Sequence, residues 1–227
     1  MTQPPLLNAQ AWMAAGVQHA VLIRALPAVR HDLASPMSVM RMGMTVLKRR
    51  LANGADPQPE QSVDRVTQLE EQLLILGDHV RRLRNWDLNI HERQPARATL
   101  HQAIELAKPL LALRGVLLES LADEASPAAS DEDPPVAHHT LLYVLLGAIY
   151  HLAEESNEPP AQVAVELSST SIRLRAQGKP SPDALPPLVT AGAQGTQPID
   201  TAALLCLAQH LSVAVQCAPR EVVITLA

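Results

Sequence analysis

The run Arg30-His31-Asp32-Leu33-Ala34-Ser35-Pro36 holds the residue types in this chain whose order points most directly to chemistry. A carboxylate beside an imidazole can keep one ring nitrogen protonated and leave the other as a nucleophile. Ser35 follows one helical turn later, on the face of His31. Pro36 cannot donate a backbone hydrogen bond and crowds the carbonyl four residues earlier, so a bend is expected just past the histidine. The chemistry this arrangement suits is uptake of a phosphoryl group by the ring. The plain alternative is a solvated His-Asp pair on an ordinary helix surface, since short motifs also arise by accident.

The flanking pattern sets where that ring points. Leu22, Leu26, Val29, Leu33, Met37, Met40, Met44, Leu47 and Leu51 recur at three- and four-residue steps, the spacing of a helix that buries one stripe. This predicts a helix from about Ala9 to Leu51, after a loose lead-in over Met1 to Asn8, with Pro27 marking a kink or break. His31 stands roughly 200° from Val29 and from Leu33 and therefore faces water. Arg24, Ala28, His31, Ser35 and Ser38 are expected to share the exposed face, with Arg30 and Arg41 nearby to meet a partner's charges; the alternative is a merely solvated face. Ala52 to Glu60 reads as a turn. Val66, Leu69, Leu73, Leu76, Val80 and Leu83 then repeat the three-four alternation of a bundle seam. Two such helices form a hairpin with its stripe half covered. Pairing two hairpins buries the rest, so a homodimeric four-helix bundle is expected.

Beyond Arg93 the pattern changes. It predicts a helix over Thr99 to Arg114, a strand over Val116 to Ala122, an acidic loop over Ala125 to Pro135 and a long apolar helix over Val136 to Glu155. A hairpin of strands Ala161 to Ser168 and Ser171 to Ala176 follows, then a loop over Gly178 to Pro198 rich in Pro, Gly and Ala. A helix from Ile199 to His210 and strands Val213 to Cys217 and Glu221 to Leu226 close the chain. The expected fold class is α+β: a helical hairpin in residues 1–92, then helices on a mostly antiparallel sheet in 93–227.

Composition narrows the function classes. Hydrophobic residues make up 47% of the 227, yet Phe is absent, so the core must be aliphatic. A formal net charge of -5 argues against nucleic acid as the main partner. No run approaches the roughly 18 apolar residues of a membrane span, so no membrane partner is expected. Cys206 and Cys217 match no metal-ligand or redox spacing, and a cytoplasmic home is the simplest reading. His138-His139 diverge by about 100° on a helix and fit a loop-to-helix boundary better than a metal pair. His19, His79, His101 and His210 read as surface or capping residues.

A hairpin carrying His-Asp-Leu-x-Ser-Pro, followed by helix, strand, long helix, strand hairpin, loop, helix and two strands, resembles a histidine kinase core over about Val21 to the end. That family joins a dimerisation and phosphotransfer hairpin to an ATP-binding α/β sandwich. The nucleotide residues it implies are missing here. Gly147 and His151 stand where its long helix carries asparagines, and Ala176-Gln177-Gly178-Lys179-Pro180 stands in place of Asp-x-Gly-x-Gly. Gln197-Pro198-Ile199-Asp200 replaces a glycine-rich phosphate loop. The chain is thus similar to dimeric bacterial histidine phosphotransferases, which keep the hairpin beside a degenerate ATPase-like domain.

That resemblance implies transfer between receiver-domain aspartates through His31, oriented by Asp32, with neither ATP binding nor autophosphorylation. Ser35 takes the place where phosphatase-competent kinases carry Thr or Asn. No cofactor of the chain's own is expected; Mg2+ would come with the partner receiver, and the partners would be response regulators and a hybrid histidine kinase. The other readings are a non-catalytic dimeric scaffold or anti-kinase, a receiver phosphatase, and a kinase with an unorthodox nucleotide site.

Overall fold

The computed structural model describes residues 6–52, 59–87, 91–120, 133–154, 159–179 and 197–226. Helix α1 (Leu6–Ala52) runs unbroken through Pro27 and Pro36, and α2 (Pro59–Arg82) returns beside it, ending in a short 3-10 turn over Leu83–Trp86. Leu6, Leu7 and Asn8 belong to α1 rather than to a loose lead-in, and Pro59 and Glu60 open α2 rather than close a turn. A proline is tolerated at a helix start because its missing amide has no intrahelical partner there.

The seam between the two helices sets compact residues of α1 against mostly longer ones of α2. Pro36 and Gly43 are buried on α1, while Ser62, Arg65, Leu69, Gln72, Leu76 and His79 form the half-buried face of α2 at three- and four-residue steps. A Cβ on Gly43 would lie 2.8 Å from Leu69 Cδ2, so any larger residue there obliges the Leu69 side chain to move. The expected stripes are only partly covered. Met37, Met44 and Leu51 on α1, and Val66, Leu73 and Val80 on α2, remain exposed in the single chain.

The rest is the expected layer of helices on a sheet. Strand β1 (Arg93–Pro95) pairs antiparallel with β3 (Pro135–Ala137), a ribbon the sequence pattern did not announce. Helices α3 (Ala96–Leu113), α4 (His138–Glu154) and α5 (Thr201–His210) accompany a sheet of β2 (Leu117–Ser120), β4 (Gln162–Leu167), β5 (Ser171–Gln177), β6 (Val215–Ala218) and β7 (Glu221–Thr225). The order is β2-β4-β5-β7-β6, antiparallel except for β2 with β4. Most of the acidic loop and most of the Pro-, Gly- and Ala-rich loop lie outside the described residues.

One core joins the hairpin to this layer, because the N-terminal half of α1 lies across α3, α4 and α5. Val21, Ala25 and Ala28 share a cluster with Leu100, Leu145 and Leu204. Arg24 is carried in with them. Its Nε and Nη2 donate to the two carboxylate oxygens of Glu154 at 2.8 and 2.7 Å, and Arg114 Nη1 donates to the same carboxylate at 2.8 Å. All three residues are at most 5% exposed. The expectation that Arg24 and Ala28 lie on the exposed face is therefore corrected: α1 extends well before the hairpin, and its small residues let it settle on the second layer.

Glu154→Gln strands two buried guanidinium groups, a loss expected to cost about 3–5 kcal/mol and to lower the urea midpoint accordingly. His138 is fully buried, and desolvation together with the adjacent His139 pushes its pKa down from 6.5 to about 4. Between those values the unfolded chain binds a proton that the folded chain refuses. Stability should hold above about pH 6.5, fall towards pH 4 and level off below it. In His138→Asn, which keeps a polar group near Thr99 without titrating, the slope measured by thermal melting should flatten.

Candidate functional site

His31 emerges near the middle of α1 with its side chain 80% exposed. Its Nδ1 lies 3.5 Å from Asp32 Oδ1, the outer limit of a hydrogen bond, so the carboxylate is a neighbour in place rather than a clamp. In the tautomer with Nδ1 protonated, the Nε2 lone pair is the one open to a partner. Ser35 and Ser38 are exposed one and two turns further along, on the face of His31, and Arg30 and Arg41 are exposed as well. Of the residues expected to form this surface, these stand in the open. Arg24 and Ala28 do not.

Beside the histidine turn lies a cleft of about 570 Å³ between α1, the end of α2 and α3. Asp32, His79, Arg82, Arg84 and Glu105 line it with charges of both signs. Trp86 closes one side, packed edge-on against Tyr143 of α4 with ring centroids 5.5 Å apart, and its carbonyl accepts from the Tyr143 hydroxyl at 3.3 Å. His79, expected to be a surface or capping residue, is instead half-buried, and its Nδ1 donates across the hairpin to the Asp32 carbonyl at 2.7 Å. No spacing within α2 marks that contact, which joins residues 47 positions apart.

On α4, the positions that the sequence resemblance sets against asparagines, Gly147 and His151, are enclosed. A Cβ on Gly147 would meet Leu207 Cδ2 at 3.2 Å, Leu204 Cδ1 at 3.3 Å and Val21 Cγ2 at 3.8 Å. His151 is buried, with Nδ1 donating to the Ile199 carbonyl at 2.8 Å. Asp200 caps α5, its carboxylate accepting from the Ala203 amide at 2.8 Å. These residues present packed side chains and a helix cap. Among the described residues no cluster of three or more His, Cys, Asp or Glu side chains is placed to hold a metal, and no helix is long and apolar enough to cross a membrane.

No protein-family model and no curated protein matches the chain. Solved structures do resemble it. A bacterial phosphotransferase is 12% identical, with 91% of this chain and 95% of that one covered and a TM-score of 0.36. The Acinetobacter baumannii histidine kinase AdeS is 14% identical over 87% of this chain and 97% of its own, at a TM-score of 0.38. The histidine kinase ThkA, solved in complex with the response regulator protein TrrA, is 14% identical over 87% of this chain and 58% of its own, at 0.32.

Proposed function

We propose that this chain is a histidine phosphotransferase that relays a phosphoryl group between receiver-domain aspartates through His31. The observation that carries the reading is the His31 ring itself, 80% exposed on a long helical hairpin with a carboxylate beside Nδ1. In the forward step the Nε2 lone pair attacks phosphorus and the P–O bond to the donor aspartate breaks. The carboxylate leaves, and the proton on Nδ1 stays beside Asp32. The second step reverses this on another receiver. Phosphoryl transfer is mostly positioning and charge neutralisation, and the Mg2+ belongs to the receiver's acidic site.

Response-regulator receivers, with a hybrid histidine kinase upstream, are the partners this chemistry requires, and the exposed Ser35, Ser38, Arg30 and Arg41 are the side chains offered to them. The chain acts as a homodimer, a reading supported by the apolar residues left open along both helices, Met37, Met44, Val66 and Leu73 among them. Apolar packing around Gly147 and the cap made by Asp200 support a second half that takes no ATP.

The test is transfer from a panel of phosphorylated receivers to the wild-type chain and to His31→Ala. Acid-labile, base-stable label on the wild type, and at least a hundredfold less on the variant, is the expected result. Receivers that bind without transferring label would leave a scaffold, and receiver label lost as free phosphate would favour a phosphatase. Binding of MgATP at micromolar concentration, read by calorimetry, would contradict the reading of the second half.

A further inference from the structure

In an α-helix the carbonyl of residue 32 accepts from the amide of residue 36. Here residue 36 is Pro36, which has no amide hydrogen, so the Asp32 carbonyl, one residue past His31, lacks its helical donor. Pro36 is buried, and the site of the Asp32 carbonyl is itself part-buried, so water replaces the missing donor only in part. A polar group so placed needs a partner. His79 provides one from the facing helix, with Nδ1 2.7 Å from the oxygen. A carbonyl can only accept, so Nδ1 carries the proton.

We infer that His79 is a positioning residue for His31: by donating to the carbonyl that Pro36 orphans, it fixes the turn bearing the acceptor ring against α2. The inference rests on the phosphotransfer reading above and goes beyond it. The His31 ring has little else to place it, since it is exposed and its contact with Asp32 is long. Its position is thus set by the backbone beneath it. A proline inside a helix frees that backbone to bend, and a cross-helix hydrogen bond selects one bend. A one-ångström displacement of a transferring group can cost about a hundredfold in rate.

The chemistry of the bond makes a sharp test. Asn Nδ2 sits as many bonds from the backbone as His Nδ1, so His79→Asn can keep the donor, whereas His79→Leu cannot. Pro36→Ala restores the helical amide and should make the donor at position 79 dispensable. The variants His79→Asn, His79→Leu, Pro36→Ala and the double variant Pro36→Ala/His79→Leu are compared in the full chain by thermal melting and by transfer rate from a phosphorylated receiver at saturation.

Relative to wild type, His79→Leu should lower the rate roughly ten- to a hundredfold with the half-saturating receiver concentration unchanged. His79→Asn should recover most of that loss. Relative to Pro36→Ala alone, the added His79→Leu should change both melting temperature and rate little. Equal losses from His79→Leu in both backgrounds, or no advantage of Asn over Leu, would overturn the inference. If the wild type is labelled but the two positions do not couple, the positioning role alone fails. If they couple in melting while His31 takes no phosphoryl group, the phosphotransfer reading fails and the positioning role with it.

Discussion

A carboxylate with no exposed side-chain surface, Glu154, holds the two halves of this molecule in register. Arg24 grips it with two nitrogens from α1, Arg114 approaches from the end of α3, and Arg24 also donates to the Gln197 carbonyl just before α5. Buried charges are costly unless each is paired and hydrogen-bonded, so the cluster tolerates one placement of α1 across the second layer and penalises the others. The same helix continues to His31 seven residues later, roughly 10 Å along its axis. The direction in which the hairpin leaves the layer, and the height at which the ring emerges, therefore trace back to this ion cluster.

Packing reinforces that registry. Val21 fills the space over Gly147, between the α5 side chains Leu204 and Leu207, so the α4–α5 face meets α1 instead of solvent. Further along, Gly43 lets Leu69 approach, and α2 lies close enough for His79 to reach the Asp32 carbonyl. Large aliphatic side chains supply most of the buried area. Small residues decide where the helices touch.

That division explains what could be read in the sequence. Period-three-four and alternating patterns located the helices and most strands within a few residues, because local periodicity reports directly on burial in amphipathic elements. Within the His-Asp-Leu-x-Ser-Pro run, the off-stripe position of His31 matches its exposure in the structure. The seam was less legible. Three-four spacing of Leu and Met predicts the buried face of α1, whereas buried positions include Val21, Ala25, Ala28, Pro36 and Gly43, residues of small size or fixed shape. Arg24 looked like a surface cation because nothing nearby announced Glu154, 130 residues away. The β1–β3 ribbon and the His79 contact are likewise long-range pairings that no local pattern encodes.

In the proposed relay one imidazole, exposed on a long helix, does the chemistry, and the packed second layer fixes where that helix runs. The most direct measurement is to phosphorylate the wild-type chain from a receiver, map the modified residue by mass spectrometry under conditions that preserve phosphohistidine, and identify the substituted nitrogen by 31P and 15N NMR. The account predicts a single phosphoryl group on His31 at Nε2, with the proton on Nδ1. A phosphoryl group on another residue, or on Nδ1 of His31, would contradict it.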